Sequence, residues 1–199
     1  MPGSKLVAAV TDNKGFYNIA LLPYWPSKTD YDKWAAETGF TDWWAAIDPR
    51  EFGHGWFLEV FFPPVDRFET VFSNCQIPEG AAHMEESFSG QIREHVYWGS
   101  MRDRLAAAQT GELEGEKAAK READPAGRVH VCGKKNLAVI RSGQDWFDTL
   151  PDERKLYVET MRPVLTAGMD FLRDRGNEVG CHSCRFMHVV DSTTRKVRT

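Results

Sequence analysis

Six consecutive residues, Arg141-Ser142-Gly143-Gln144-Asp145-Trp146, bring a cation, a hydroxyl, an amide, a carboxylate and an indole to one point of the chain. They follow Leu137-Ala138-Val139-Ile140, a short, partly β-branched apolar run that reads as a buried strand, and they precede a helix start. Side chains at such a point are held by a rigid scaffold yet reach a cleft. The plain alternative is a polar turn for which Ser142-Gly143 supplies the turn chemistry. A second stretch, Tyr97-Trp98-Gly99-Ser100-Met101-Arg102-Asp103-Arg104, alternates two arginines and an aspartate on a helix whose other side is apolar. An arginine there can bind an anion or polarise a leaving group, or it can belong to a surface ion cluster of little energetic weight. Arg102 and Arg104, two apart on a helix, face different ways, so both stay candidates. Glu69, one turn past Asp66 and behind an aromatic strand, is either a helix-surface carboxylate or a cavity acid.

Other reactive residue types carry weaker signals. Cys181-His182-Ser183-Cys184 has C-x-x-C spacing with His188 nearby, but a tetrahedral metal site needs further ligands and no second C-x-x-C exists. Redox C-x-x-C pairs usually open a helix after a strand, whereas this one enters a strand, so buried structural cysteines are expected. The six histidines contain no H-x-x-x-H pair. There is no Gly-rich phosphate loop and no G-x-S-x-G elbow, which disfavours nucleotide binding and α/β-hydrolase chemistry.

The elements that must position these residues follow from periodicity and breakers. Lys5 to Val10 and Phe16 to Leu22 read as strands, the second ended by Pro23 and Pro26. Ser27 or Thr29 caps a helix from about Asp30 to Gly39, and Thr41 caps a shorter one carrying Trp43 and Trp44. Trp56 to Phe62 reads as an almost wholly apolar strand, Asp66 to Phe72 as a helix, and Gln91 to Ala108 as another. Residues 109–127 are rich in Glu, Lys and Arg and read as a polar linker or excursion. Arg128 to Cys132 and Asn136 to Ile140 are expected to form a hairpin across Gly133-Lys134-Lys135. A long helix is expected from Pro151 to Arg175, kinked at Pro163, with Leu156, Met161, Val164, Leu165, Phe171 and Leu172 on its buried side. Cys184 to Val190 closes the order as a strand. Strand, helix, three strands, helix and strand suit an α+β fold with helices on one face of an antiparallel sheet.

The bulk numbers set the class. A chain of 199 residues with 42% hydrophobic and 27% charged residues is long enough for one large domain with a real core. Its 12 Phe, 7 Trp and 5 Tyr suit either a large apolar cavity or a plain core. A net charge of -4 gives no general attraction to nucleic acid or anionic lipid, so neither is expected as a partner. No signal peptide or membrane-spanning run is seen, and four cysteines without a secretory signal point to a cytoplasmic location.

Arg67-Phe68-Glu69-Thr70 with Phe72-Ser73, the Tyr97 to Arg104 stretch and the Arg141 to Trp146 stretch, in this order and spacing, resemble the haem-containing aldoxime dehydratases. Gly168 to Asp174 and Glu178 to Cys181 extend the likeness, which covers most of residues 16 to 190. The resemblance implies a dimeric α+β barrel type of fold built from ferredoxin-like halves, in one α+β region over residues 1–199. It also implies conversion of an aldoxime to a nitrile with loss of water, on a ferrous haem b whose iron takes the oxime nitrogen. By motif, Ser142 would hydrogen-bond the oxime hydroxyl, Arg102 or Arg104 would hold charge beside the haem or the hydroxyl, and Glu69 would tune that network. A small-molecule aldoxime is the implied partner, with a homodimer possible. His182 and Cys184 stand where other members tend to have a tyrosine and an asparagine. Members are longer, and their iron-ligating and acid histidines lie in a C-terminal part. The expectation is therefore a truncated member, with the iron ligand and the general acid beyond Thr199 and no iron ligand among its own residues. The competing expectation is a non-catalytic ferredoxin-like binding or dimerisation module, or a degenerate haem-binding α+β barrel.

Overall fold

The computed structural model describes residues 2–51, 53–72, 78, 80–92, 103–116, 120–125, 127–146 and 149–197. In chain order the elements are β1 (Ser4–Thr11), β2 (Tyr17–Tyr24), α1 (Lys28–Thr38), α2 (Phe40–Ala46), β3 (Lys120–Ala123) and β4 (Val129–Cys132). They continue with α3 (Pro151–Leu156), a π-helical turn (Tyr157–Met161), α4 (Arg162–Arg175) and β5 (His188–Val189). The chain divides into two compact units, Met1–Ser4 with Tyr24–Ile140, and Lys5–Pro23 with Arg141–Thr199.

The unit made of residues 5–23 and 141–199 is built on the sheet β2-β1-β5. The turn between β1 and β2 is tied by Asp12, whose Oδ1 accepts from the Lys14 and Phe16 amides at 2.9 Å each. Those bonds, Phe16 first and Asn18 next, hold the Asp12 carboxyl below the usual carboxylate range. β5 runs antiparallel to β1, with Ala8 opposite Val189 and Ala9 opposite His188. Val7, Ala9 and Val190 form a small buried cluster, and Ala8 is buried too. Small residues on the central strand let its neighbours approach closely on both faces.

The long helix begins where expected, with Pro151 in its first turn and Asp152 and Glu153 at its positive end. A proline at 163 removes one amide and crowds the preceding turn. Just before that proline, over Tyr157–Met161, the helix is π-helical, and the Arg162 amide reaches back to the Tyr157 carbonyl. The expected buried side is only partly covered. Leu165, Phe171 and Leu172 are half-buried, whereas Leu156, Met161 and Val164 are exposed.

In the other unit, Ser27 caps α1 by accepting from the Asp30 amide at 3.1 Å and donating to the Asp30 carboxylate at 2.5 Å. Gly39 ends α1 in the left-handed region at φ 67°, a conformation a β-carbon would disfavour, and α2 starts directly after it. Trp25, Tyr31, Trp34, Phe40 and Trp43 stack in sequence along these helices, with ring centroids between 4.8 and 6.0 Å apart. Tyr31 also meets Phe62 and Trp43 meets Trp56, so the helices are joined to the aromatic run by ring contacts. Arg128 lies over Trp44 and donates to the Trp44 and Ile47 carbonyls at 2.8 and 2.9 Å, which stops α2 against β4.

Four expectations are corrected. Within the stretch read as a linker, Lys120–Ala123 is a strand, and it pairs antiparallel with Val129–Cys132. Asp124 makes that hairpin by donating its amide to the Arg128 carbonyl at 2.9 Å and accepting the Arg128 amide on its side chain at 2.8 Å. Among the described residues the expected partner, Asn136 to Ile140, forms no strand, and neither does Trp56 to Phe62. Asp66 starts only the single 3-10 turn Val65–Arg67, after which the chain is extended. The helix expected over Gln91 to Ala108 lies mostly outside the described residues.

The fold type implied by the resemblance is corrected as well. Among the described residues the strands form one three-stranded and one two-stranded sheet, and neither closes into a barrel. Closure requires each edge strand to find a partner around a full ring. Here the apolar runs that would extend a sheet carry no ladder. What stands is an α+β protein with antiparallel pairing.

Candidate functional site

Glu69 follows the 3-10 turn Val65–Arg67, and Arg104 sits in a helical turn just before a second 3-10 turn, Ala106–Gln109. These two turns pack together. The Arg104 guanidinium grips the Glu69 carboxylate as a fork, Nε to Oε1 at 2.8 Å and Nη2 to Oε2 at 3.2 Å. Their side chains are 19% and 21% exposed, so the pair is largely withdrawn from water. At that depth the two charges need each other: removing one strands the other, which costs more than the intact pair contributes.

Neighbouring polar residues brace the same region. Arg67 donates through Nη1 to the Asn136 side-chain oxygen. Asn136, at a positive φ of 56°, donates in turn to the Glu114 carbonyl at 2.8 Å. The Glu116 amide donates to the Lys135 carbonyl and the Lys135 amide to the Glu116 carboxylate, each at 3.3 Å, closing the loop beside it. Neither Arg67 nor Asn136 was singled out by its own chemistry in the sequence, although Arg67 belongs to a motif quoted for the resemblance.

Of the two candidate arginines, Arg104 is the one seen engaged with Glu69. Arg102, with the rest of 93–102, lies outside the described residues, as does Ser73. Ser142 is exposed, in a segment over residues 141–146 that lies outside any helix or strand of the described residues. It belongs to the other unit from Glu69 and Arg104. That segment is held by side chains from the long helix. The Tyr157 hydroxyl donates to Gln144 Oε1, and the Tyr157 and Trp146 rings lie 5.6 Å apart. The Arg154 guanidinium covers Trp146 at 4.8 Å. Sequence reading missed Tyr157 and Arg154. Their i,i+3 spacing on one helix face was the available signal.

The cysteines expected to be buried are not: Cys181 and Cys184 are half-buried, and Cys132 is exposed. Among the described residues Cys132, Cys181 and Cys184 are free, and Cys184 Sγ lies 3.8 Å from Met169 Sδ. Burial first, and then the neighbouring Cys181, push the Cys184 thiol above the ordinary range. A raised thiol holds less thiolate at neutral pH and reaches its full reactivity only at higher pH. Iodoacetamide at pH 7.5 should therefore alkylate exposed Cys132 about threefold or more faster than Cys184, read by peptide mass spectrometry. Equal rates at that pH would contradict the burial of Cys184.

Among the described residues no group of three or more His, Cys, Asp or Glu is placed to hold a metal ion. A haem iron needs only one or two protein ligands, so the relevant question is single side chains and an apolar slot. Trp56, Phe57, Phe61 and Phe62 form a half-exposed aromatic run, each 46 to 51% exposed. His54 packs on Trp56 at 5.2 Å and His188 on Phe186 at 6.2 Å, and no iron ligand is assigned among the described residues.

Among the described residues the scaffold is α+β, with the Arg104–Glu69 fork in one unit and the exposed Ser142 in the other. The haem-containing dehydratase family matches residues 2–199, and the chain belongs to that family. It is 41% identical over 183 residues to an aliphatic aldoxime dehydratase of Rhodococcus erythropolis, covering 90% of this chain and 52% of that protein. It is 29% identical over 182 residues to a phenylacetaldoxime dehydratase of a Bacillus species, covering 87% and 51%. The crystal structure of an aldoxime dehydratase in complex with butyraldoxime superposes with a TM-score of 0.75 at 32% identity, over 96% of this chain and 54% of that one. The chain thus spans about half the length of the relatives it matches. Among the described residues no helix is long and apolar enough to cross a membrane.

Proposed function

We propose that this chain carries part of the machinery of a haem-dependent aldoxime dehydratase, a lyase that takes water from an aldoxime to give a nitrile. The observation that supports it most is the Arg104–Glu69 fork, in a chain of the haem-containing dehydratase family. Hydroxide is a poor leaving group, so the reaction needs a donor on the oxime oxygen and a proton delivered as the N–O bond breaks. Ser142 is proposed to donate to that oxygen from its open segment. Arg104, fixed by Glu69, offers a guanidinium whose orientation is set before the substrate arrives, so little ordering remains to be done when charge develops. Glu69 keeps that cation in place and offsets its charge; Arg102 remains a proposed second cation. No general acid is assigned among the described residues. A ferrous haem b, when bound, would supply Lewis-acid and electron-donating iron chemistry, and no residue of this chain is assigned as its ligand.

Residues 1–199 are proposed to act as one haem-dehydratase-like region located in the cytoplasm. A second reading, a non-catalytic binding or dimerisation module, draws on the half-exposed aromatic run Trp56 to Phe62. A titration of the purified 199-residue chain with ferrous haem, followed by butyraldoxime and read at the Soret band, separates the two. A saturable one-to-one complex whose spectrum shifts with the aldoxime is the expected result, with nitrile measured next by gas chromatography. Haem that never saturates, with no aldoxime response, would leave the binding-module reading in its place.

A further inference from the structure

We infer that Tyr157 and Arg154 are positioning residues: they hold the 141–146 segment, and through it Ser142, in place for the substrate hydroxyl. The inference rests on the role proposed above for Ser142.

Among the described residues the segment belongs to no helix or strand, and five of its six residues are exposed, Trp146 alone being half-buried. Two of its residues, Gln144 and Trp146, are held by side chains from one stretch of helix. Tyr157 makes two of them, donating its hydroxyl to Gln144 and lying 5.6 Å from Trp146 with the rings tilted by 32°. Arg154, one turn earlier on the same helix face, sets its guanidinium 4.8 Å from the Trp146 ring. Trp146 is thus flanked by a ring and a cation, while its carbonyl accepts the Thr149 hydroxyl at 2.7 Å.

The local helix geometry explains why Tyr157 can do this. It opens the π-helical turn that Pro163 imposes, and its carbonyl takes the Arg162 amide across the widened turn. The extra residue in that turn fixes where the helix presents Tyr157 relative to the turns after it. Gln144 and Trp146 lie two and four residues after Ser142 in the same short segment. Holding both from one helix therefore limits where the backbone can carry Ser142. Neither tyrosine nor arginine needs to touch the substrate for this.

The first test is local and independent of haem: trypsin cleavage after Arg141 in the full chain, with the cut identified by mass spectrometry. Tyr157→Ala and Arg154→Gln should each speed that cut about fivefold, because cleavage tracks local opening. Tyr157→Phe, which keeps the ring and loses only the hydroxyl, should fall between. Cleavage as slow as in the unaltered chain for both Tyr157→Ala and Arg154→Gln would overturn the inference. A general loss of structure would instead speed cuts at all sites, and that pattern would also overturn it.

The second test asks whether the effect passes through Ser142. In the haem-loaded chain, Tyr157→Ala should raise the half-saturating butyraldoxime concentration about fivefold while leaving haem affinity unchanged. In a Ser142→Ala background the same substitution should add nothing, the non-additivity expected of residues acting in series. Full additivity would overturn the link. If Ser142→Ala alone leaves the aldoxime response untouched, the role proposed for Ser142 fails, and the link through it is overturned with it. The trypsin result then still shows separately whether the helix holds the segment.

Discussion

Arg104→Ala should lower nitrile formation by the haem-loaded chain about 300-fold and also destabilise the fold by about 2 kcal/mol. The two effects share one cause. The guanidinium that steadies developing charge on the substrate is also the partner of a carboxylate that is only about one-fifth exposed. Without it, Glu69 must either take water into its site or gain a proton, and both weaken the folded state. A fully buried pair would lose roughly 3–5 kcal/mol, and the residual exposure here argues for the lower figure. Glu69→Gln discriminates between the two contributions. It keeps the shape and one acceptor for the guanidinium, so stability should change by under about 1 kcal/mol while activity falls about tenfold. Arg104→Lys keeps the charge but cannot make the fork and should resemble alanine in rate more than in stability. Urea unfolding and nitrile assays on the same preparations check all three. An Arg104→Ala protein of unchanged stability and rate would rule out any role for the fork.

Ser142→Ala is expected to be the opposite kind of variant, costing about 100-fold in dehydration and almost nothing in stability. Ser142 is exposed, so removing its hydroxyl leaves no buried group without a partner. Its whole expected contribution is a hydrogen bond to the oxime oxygen, made stronger as that oxygen gains charge in the transition state. The loss should therefore fall mainly on turnover, with a smaller change in half-saturating aldoxime. Ser142→Thr, which keeps the hydroxyl, should recover part of the rate. Unaltered turnover in Ser142→Ala would remove this residue from the site. The contrast with Arg104 separates a residue that builds the pocket from one that only meets the substrate.

Much of the architecture was legible from local signals. Both strands of the first hairpin, the Ser27-capped helix and the long helix from Pro151 to Arg175 follow from periodicity, caps and glycine or proline stops, which act within a few residues. The second helix instead starts at Phe40 behind Gly39, with Thr41 inside it and no side-chain cap. The misreadings have a common origin. Trp56 to Phe62 has every intrinsic mark of a strand, yet strand pairing belongs to two segments and not to one. Lys120–Ala123 shows the converse, since its charged residues gave no apolar alternation. It pairs because the turn around Asp124 and Arg128 returns the chain onto it. The long helix was placed correctly but its covered side was not, because Leu156, Met161 and Val164 depend on what the rest of the chain lays against them.

At the site the division is similar. By itself the sequence determined which residue types stand in which motifs, and those motifs were enough to place the chain among the haem-containing dehydratases. Only the tertiary structure decided that Arg104 grips Glu69 from 35 residues away, that Arg67 leans on Asn136 from 69 residues away, and that Tyr157 reaches Gln144. Composition and spacing record what a segment can do with its near neighbours. Ion pairs and hydrogen bonds between distant segments form only where folding brings two side chains within about 3 Å, and nothing in either segment alone carries that distance.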